Sequence, residues 1–485
     1  MPEIVVAGAG LGGLLTALAL AGDGHHVTVL ERDAGAPPGE PLAAWDHWQR
    51  RGVAQFRQLF YLLPGFRQLA ERELPAVTDA LDAVALRHHP LADVTGESSQ
   101  PDGDIVTVTA RRPTVEAAIA RLTDTTPGID VHRGAPIRGL ATGDPIAGVP
   151  HVTGVVTDHG VRRADLVVDA TGRRSPASDW LTAVGARPWP EVAEDSGFVY
   201  HSRHFRGPDG RVPALRGPLL QHFGSLSALT LPAEGGTWGV GLITSSRDDQ
   251  LRALHRVDAW TAVARALTPI AHWVDGDPIT GVDVMTRLED RHRTLCPDRR
   301  PLVTGFAPVA DSWASTNPTL GRGTTLALLH ALALRDTIRA VGLHDPAAFA
   351  VAWHDITERD MRPHYDAVVT ADRHRIGEID AAIDGRPYDD ADVAWRAYRM
   401  LEDTAHLDPE LLRGWFRIAG LVATGTEVFS EDGFLRRVAR AARRHTHAAP
   451  VITRDRLVTL AHTAGTNAAP ARGDGPATRT NDRLS

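Results

Sequence analysis

The first 31 residues constrain the fold more than any other part of the chain. Residues 4–13 are Ile-Val-Val-Ala-Gly-Ala-Gly-Leu-Gly-Gly, and an apolar run then leads to Val-Thr-Val-Leu-Glu at residues 27–31. This order predicts a strand, a glycine turn, a helix and a second strand, which is the βαβ unit that binds dinucleotides. In such a unit Gly8 makes the tight turn, Gly10 lets a pyrophosphate approach the backbone, and Gly13 lets the helix pack closely on the strand.

Glu31 ends the second predicted strand, about 20 residues beyond the glycines, where a carboxylate binds an adenosine ribose. A carboxylate at this position favours FAD or NAD over NADP. The phosphates are expected at the positive N-terminal end of the helix. A signal peptide or membrane anchor is the alternative interpretation, but it requires a basic region before the apolar run, and the only early charge is Glu3.

Composition limits the possible partners. The chain has 485 residues, 43% of them hydrophobic and 23% charged, and a net charge of −8. At roughly 150 residues per domain, this length predicts two or three domains. We expect neither nucleic acid nor membrane as a partner, because there is no basic excess and no other apolar stretch approaches the ~20 residues that span a bilayer. The single cysteine, Cys296, excludes an internal disulfide and makes a cytoplasmic location the default.

The basic residues are unusual, because all 52 of them are arginine and none is lysine. This composition excludes Schiff-base chemistry and P-loop phosphate binding, since both need a lysine amine. The 23 histidines show no spacing typical of a zinc site, and no metal is expected.

Two later segments strengthen the prediction of a dinucleotide site. Residues 164–175 are Ala-Asp-Leu-Val-Val-Asp-Ala-Thr-Gly-Arg-Arg-Ser, a buried-strand pattern that ends at Asp169 and enters a turn at Gly172. Asp311 follows another strand pattern, and residues 316–323, Thr-Asn-Pro-Thr-Leu-Gly-Arg-Gly, precede an apolar helix. In the second segment an acid follows a strand and glycines open a helix.

Together these segments resemble the FAD-dependent monooxygenase and oxidoreductase superfamily, with a fold like that of p-hydroxybenzoate hydroxylase, over residues 1 to 345. The resemblance implies that Asp311 binds the ribityl or ribose hydroxyls of FAD. It also implies that Pro318, Gly321 and Gly323 hold the edge of the isoalloxazine. The N-terminus of a helix opened by glycine carries partial positive charge, which stabilises an anionic reduced flavin.

Two shorter segments add arginines to this resemblance. Residues 50–55, Arg-Arg-Gly-Val-Ala-Gln, resemble the family segment Arg-x-Gly-Val-Pro-Gln, and residues 112–116 resemble a helix start whose arginine contacts FAD. Arginine suits this task because its fork pairs bidentately with phosphate. The predicted FAD-binding residues are Gly8, Gly10, Gly13, Glu31, Arg32, Arg51, Gln55, Arg112, Asp169, Gly172, Asp311, Pro318, Gly321, Arg322 and Gly323.

The chain departs from the family pattern at two positions. Ala310 replaces the glycine that usually precedes Asp311, a change that is tolerated if the backbone there needs no positive φ. Thr171 takes the place of an acid that aromatic hydroxylases use for FAD and NADPH. The resulting Asp-Ala-Thr-Gly form is typical of the epoxidase, halogenase and geranylgeranyl reductase branches, several of which receive reduced flavin from a separate reductase. The absence of lysine and of a Trp-x-Trp-x-Ile-Pro segment excludes the halogenase branch itself.

The predicted fold class is α/β, with four regions. A discontinuous Rossmann-like FAD-binding domain comprises residues 1–175 and 296–345. Short alternating runs between glycine and proline turns predict an antiparallel β-sheet substrate domain at residues 176–295. Helical spacing predicts an α-helical region at residues 346–465. This region is expected to close the pocket or to build a dimer, and the protein is expected to be a monomer or a homodimer. Residues 466–485 are expected to be a disordered tail.

The resemblance implies an FAD-dependent monooxygenase that hydroxylates or epoxidises a small organic substrate through a flavin C4a-hydroperoxide, in bacterial specialised metabolism. O₂ is the co-substrate, and NAD(P)H supplies electrons directly or through a flavin reductase. The alternatives are a geranylgeranyl reductase-like reductase or dehydrogenase and a non-catalytic FAD-binding protein. Candidate catalytic residues are Thr316, Asn317 and Trp313, and candidate substrate contacts are Tyr200, Arg203, Phe223 and Trp238.

Overall fold

A computed structural model of the chain describes residues 2–53, 55–95, 105–389, 391–444 and 451–464. The predicted tail at residues 466–485 lies outside the described residues. Within the described ranges, no helix has the length and apolar composition that a membrane span requires.

The strands are numbered in chain order. They are β1 Glu3–Ala7, β2 His26–Glu31, β3 Leu86–His88, β4 Thr107–Thr109, β5 Ile129–Arg133, β6 Ile137–Thr142, β7 Val152–Thr157, β8 Gly160–Arg163, β9 Leu166–Asp169, β10 Glu191–Asp195, β11 Phe198–Arg206, β12 Leu220–Phe223, β13 Leu226–Pro232, β14 Thr237–Ser245, β15 Asp277–Pro278, β16 Asp283–Met285, β17 Glu289–Arg293, β18 Phe306–Pro308 and β19 Ala314–Ser315.

The α-helices follow the same convention. They are α1 Leu11–Ala21, α2 Ala44–His47, α3 Pro64–Glu73, α4 Pro75–Asp82, α5 Pro90–Thr95, α6 Arg112–Thr125, α7 Ala177–Ala183, α8 Val257–Ala266, α9 Gly323–Val341, α10 Pro346–Ile356, α11 Arg362–Ile383, α12 Val393–Thr404, α13 Pro409–Ala419, α14 Gly425–Ser430, α15 Phe434–Arg444 and α16 Arg454–Thr463.

A parallel sheet forms the centre of the first domain, with strand order β18-β9-β1-β2-β5. Ile4 of β1 pairs with Val27 of β2 on one side and with Leu166 of β9 on the other. Parallel sheets are covered on both faces, which explains the continuous apolar sequence of β1 and β9. Helix α1 is also buried almost all round, and it contacts both the sheet and α9. The predicted Rossmann-like α/β domain is confirmed.

The largest antiparallel sheet has the order β12-β13-β14-β11-β15, and β16 also pairs with β11. It lies within residues 176–295, as predicted. Successive side chains of a strand point to opposite faces, so Phe205 and Trp238 pack toward Trp260 of α8, whereas Leu229 and Leu231 pack on the other side. Smaller sheets have the orders β10-β17-β19, β3-β4 and β6-β7-β8.

The C-terminal region is helical, as predicted. Helices α12, α13 and α15 share a small apolar core that includes Leu401, Leu411 and Val438. Helix α13 reaches the first domain, because the backbone N–H of Gly65 donates to the carbonyl of Gly420 at 2.8 Å. This contact positions α12 and α13 over the cavity described next.

Candidate active site

One cavity of about 930 Å³ extends from the first glycine turn to the face of the antiparallel sheet. It begins at the carboxyl ends of parallel strands, where open α/β sheets bind their ligands. Its walls come from many parts of the chain, among them the β1–α1 turn, residues 30–32, residues 50–53 and 55–64, residues 135–138, residues 170–176, residues 285–291, residues 310–324, and the surfaces of β12, β13, α12 and α13.

The β1–α1 turn has the geometry of a pyrophosphate site. Gly8 has φ +103°, and a Cβ there would lie 2.7 Å from the carbonyl oxygen of Ala170. A Cβ on Gly13 would lie 2.0 Å from the carbonyl oxygen of Gly8, so close packing requires glycine. Gly10 lies against open space and precedes α1 without any side-chain cap. The first turn of α1 therefore presents free N–H groups to the cavity, as an anion site does.

Glu31 lines the same end of the cavity and is held on several sides. Its carboxylate accepts hydrogen bonds from the N–H groups of Ala9 and Asp33, each at 2.9 Å. Arg50 donates to Glu31 at 2.5 Å and to Glu116 at 2.8 Å. Arg50 therefore fixes two carboxylates instead of presenting its charge to a phosphate.

Glu116 completes a buried charge network that the residue-by-residue prediction missed, although it lies in the matched segment. Arg112 donates to Glu116 at 2.6 Å and to Gln55 at 3.2 Å. Burial raises the pKa of Glu116, but Arg112 and Arg50 outweigh it, and the pKa is lowered overall. Arg112 and Gln55 line the cavity, as do Arg32 and Arg51. The four-residue spacing between Arg112 and Glu116 was the sequence signal that could have identified this ion pair.

Asp169 stabilises the turn at residues 170–175 through hydrogen bonds, but it does not line the cavity itself. It is fully buried and accepts hydrogen bonds from the Thr171 hydroxyl at 2.6 Å and from the Ser175 hydroxyl at 2.5 Å. Burial raises the pKa of Asp169 despite these bonds. Thr171 and Gly172 line the cavity, and Gly172 has φ +85° with open space where a Cβ would be. Any role of Asp169 toward a ligand is therefore indirect.

The loop before α9 forms another part of the wall. Asp311, Pro318, Gly321 and Gly323 all line the cavity, and α9 starts at Gly323 without a side-chain cap. This second uncapped helix N-terminus suits a carbonyl or an anion.

Ala310 has φ +51°, so the condition under which alanine would replace the usual glycine without strain is not met. A non-glycine residue in this region carries steric strain, which explains why glycine suits the position. The N–H of Ala310 donates to Nδ1 of His330 at 3.0 Å and anchors the strained turn. Burial lowers the pKa of His330 to about 3, so the ring is neutral and Nδ1 can accept this bond.

Asn317 is the centre of a buried polar cluster beside the cavity. Its backbone N–H donates to Asp290 at 2.7 Å, and its amide Nδ2 donates to Thr319 at 2.7 Å and to Asp372 at 3.1 Å. The Tyr200 hydroxyl donates to the amide oxygen of Asn317 at 2.5 Å. Asn317 thereby uses its backbone N–H and both ends of its side chain to join the loop to β11, β17 and α11.

Two acids in this cluster were not predicted, because no local motif marks them. Burial raises the pKa of Asp372 well above its usual range, and the charge of Asp290 adds to the effect. Burial also raises the pKa of Asp290. Oδ2 of Asp372 has no hydrogen-bond partner in the described part of the chain. Burial at this position therefore favours the neutral form of Asp372 over the charged one.

Three predicted substrate contacts lie behind the antiparallel sheet instead of in the cavity. Phe223 and Trp238 belong to the core between the sheet and α8, and the Trp238 indole donates to the carbonyl of Trp273 at 2.8 Å. The Arg203 guanidinium lies over Trp260, 5.3 Å from the ring centroid. The structure does not bring these residues to the cavity, because strand alternation points them to its other face.

The remaining candidates divide into two layers. Thr316 and Asn317 line the cavity, and Arg173 fixes the loop by donating to the Thr316 carbonyl at 2.6 Å. Tyr200 lies one layer behind, against Asn317. Trp313 lies behind the loop, with its ring edge-on to His330 at 5.2 Å, and does not reach the cavity.

The cavity also has an apolar lining, called the chamber below, that sequence reasoning did not identify. Its apolar lining residues are Leu219, Leu220, Leu229, Leu231, Met285, Leu288, Trp415 and Phe416. They come from β12, β13, the segment before β17, and α13, which meet only in three dimensions. The chamber suits an apolar organic group.

Several known proteins are similar to this chain in sequence or in fold. No protein-family model matches the chain. Protein Rv3254 of Mycobacterium tuberculosis (strain ATCC 25618 / H37Rv) is 29% identical over 360 residues, which are 69% of this chain and 73% of that protein. PqsL from Pseudomonas aeruginosa, described as a probable FAD-dependent monooxygenase, has a TM-score of 0.54 and 17% identity, over 78% of this chain and 96% of that one. The chain has the fold of the FAD-dependent monooxygenases.

This monooxygenase fold extends through most of the chain. The flavin-dependent brominase Bmp2 has a TM-score of 0.60 with 16% identity, and the match covers 91% of this chain and 99% of that one. The predicted resemblance is therefore confirmed as a fold, and it reaches beyond residue 345 into the helical region. At these identities the fold alone is established, and the chemistry must be argued from the cavity.

Proposed function

We propose that this protein is an FAD-dependent monooxygenase acting on a small organic substrate. The observation that carries the proposal is the continuity of the cavity, which joins the turn at Gly10, the uncapped start of α9 at Gly323 and the apolar chamber. A dinucleotide site alone needs no such chamber. A redox enzyme needs it, because the substrate must reach the reactive end of the cofactor.

The residues present fit FAD. The open space at Gly10 and the free N–H groups of α1 suit its pyrophosphate, and Glu31 suits the adenosine ribose. Asp311 suits further hydroxyls of the cofactor, and the N-terminus of α9 at Gly323 suits a flavin carbonyl. When bound, FAD supplies the electrons and the activation of O₂.

The protein supplies positioning and the exclusion of water. The loop at Thr316 and Asn317 is fixed by Arg173 and by the buried cluster around Asn317. Trp415 and Phe416 of α13 cover the chamber. A rigid wall and an apolar cover hold a substrate in one orientation and keep the reaction dry.

The electron source is part of the same proposal. Thr171 uses its hydroxyl to support Asp169, and it stands where aromatic hydroxylases carry an acid. The turn therefore has one carboxylate instead of the two that would serve FAD and a nicotinamide cofactor. This arrangement supports delivery by a separate flavin reductase that uses NAD(P)H. A reductase or dehydrogenase of the geranylgeranyl reductase type is the second candidate function, and the Asp-Ala-Thr-Gly form of residues 169–172 favours it.

The test is a stopped-flow experiment on FAD-loaded protein. The flavin is reduced anaerobically with NADH, NADPH or a separate reductase, and O₂ is then mixed in. For a monooxygenase we expect absorbance at ~380 nm to rise before the ~450 nm band of oxidised flavin returns. Direct return to oxidised flavin, together with anaerobic consumption of an alkene or amine substrate, would establish the second candidate instead.

A further inference from the structure

Arg322 lies on the wall of the cavity, and its side chain has no polar partner among the described residues. Its side chain lines the cavity, and its Nε atom is buried. No hydrogen bond or ion pair joins its guanidinium to any residue in the described ranges. Burial lowers the pKa of Arg322, but an arginine in a protein keeps its charge at neutral pH. The wall therefore carries a positive charge that is partly removed from water.

The acids near Arg322 do not neutralise this charge. Asp372 is close enough to influence the pKa of Arg322, but it makes no ion pair with Arg322 in the described ranges, and burial raises its own pKa. Glu402 is the other acid on this side of the cavity, and it forms an ion pair with Arg399 of the same helix. Tyr398 also lies near Arg322, and burial raises the pKa of its hydroxyl, so it stays neutral.

A buried cation without a counterion is unfavourable, and a ligand that brings an anion removes the penalty. The groups around the chamber determine what the rest of that ligand must be. Leucines of β12 and β13 and the rings of Trp415 and Phe416 provide no further charge. A phosphate monoester brings about two negative charges, whereas a carboxylate brings one and pairs bidentately with one guanidinium.

We propose that Arg322 binds the carboxylate of an apolar carboxylic acid whose hydrocarbon part lies in the leucine-lined chamber. This inference rests on the proposed function and names its substrate class. The side chain of Arg322 then belongs to the substrate site, whereas its backbone belongs to the loop that opens α9.

The probe for the experiment is 2-naphthoate, and 2-naphthamide is its neutral match in shape. Binding to the FAD-loaded protein is followed by changes in the flavin spectrum and by calorimetry. We expect naphthoate to bind about tenfold or more tightly than naphthamide. Arg322→Met should abolish this preference, and Arg322→Lys should keep part of it because the charge remains. Arg396→Met, an exposed arginine of α12, is the control and should keep the full preference.

Each possible result of this experiment supports or overturns the role of Arg322. Equal affinity for the two probes in the unchanged protein, or no binding of either, overturns the inference, even if Arg322→Met fails to fold. A preference that survives in Arg322→Met overturns it as well. Failure to bind FAD counts against the proposed function, and calorimetry on the FAD-free protein then still tests Arg322 by itself.

Discussion

The side-chain amide of Asn317 donates a hydrogen bond to Asp372 at 3.1 Å and so connects the loop before α9 to the middle of α11. Residues that are 55 positions apart in the chain thereby share one buried cluster. The cluster contains two acids with raised pKa values, and its first consequence is a dependence of stability on pH.

Asp372→Asn should flatten the pH dependence of stability. Because the pKa of Asp372 is raised on folding, its contribution is fully present below its unfolded pKa of about 4 and is lost as the pH rises through the folded pKa. The neutral variant has no charge to bury and escapes this loss. The free energy of unfolding in urea, measured from about pH 4 to about pH 8, tests this. Asp366→Asn, an exposed acid on the same helix, should keep the wild-type slope.

Gly10→Ala and Gly13→Ala should separate cofactor binding from folding. A Cβ on Gly13 meets a carbonyl oxygen at 2.0 Å, so this variant should lose more than ~2 kcal/mol of stability. Gly10 has φ −76° and open space, so alanine there should change stability by less than ~1 kcal/mol. Its methyl group would enter the pyrophosphate position and weaken FAD binding by about tenfold or more. Equal FAD affinity of Gly10→Ala and wild type would contradict the assignment.

Arg50→Met should be strongly destabilising, because it leaves Glu31 and Glu116 without their shared cation. Breaking a buried ion pair from one side costs about 3–5 kcal/mol. The exposed neighbour is a matched control, and Arg51→Met should cost less than ~0.5 kcal/mol. Urea unfolding measures both variants, and similar losses would mean that the buried network does not stabilise the fold.

Three buried histidines should make the protein sensitive to acid. Burial lowers the pKa of His201 to about 4 and those of His204 and His330 to about 3. Since these folded-state values lie below the unfolded value of about 6.5, stability is complete above that pH and falls as the pH falls. Each group contributes up to about 1.4 kcal/mol per pH unit.

The single variant His330→Gln isolates one of these groups. Glutamine can still accept the N–H of Ala310, so the turn is kept while the titrating ring is removed. The slope of the unfolding free energy between about pH 6 and about pH 4 should fall by the contribution of one proton. His255→Gln removes an exposed ring and should leave the slope unchanged, and an identical slope for both variants would refute the prediction.

Local patterns predicted Gly8, Gly10 and Gly323, which the structure brings to one cavity. The glycine spacing at Gly8, Gly10 and Gly13 depends on backbone conformation and close packing within one βαβ unit, which a short sequence encodes directly. The helix opened by Gly323 was identified for the same reason. Ala310 was the exception, because the sign of φ there depends on how the loop meets His330, 20 residues further on.

Three of the predicted substrate contacts, Arg203, Phe223 and Trp238, do not line the cavity. Alternation along β11 to β14 identified strands but not which face meets the cavity, so Arg203 and Trp238 were assigned to the wrong side. The register of β11 with its neighbours and the position of α8 decide that face, and neither follows from the residues of one strand.

The sequence by itself determined the α/β fold, the dinucleotide turn and the absence of lysine chemistry, because each depends on neighbouring residues or on composition. Only the tertiary structure brought Asp372 to Asn317, α13 to the cavity, and Arg322 to the cavity wall, where no acid of the described ranges forms an ion pair with it. The physical reason is that burial and charge pairing are properties of the folded environment. A side chain acquires its pKa, its partners and its face from segments that lie far away in the chain.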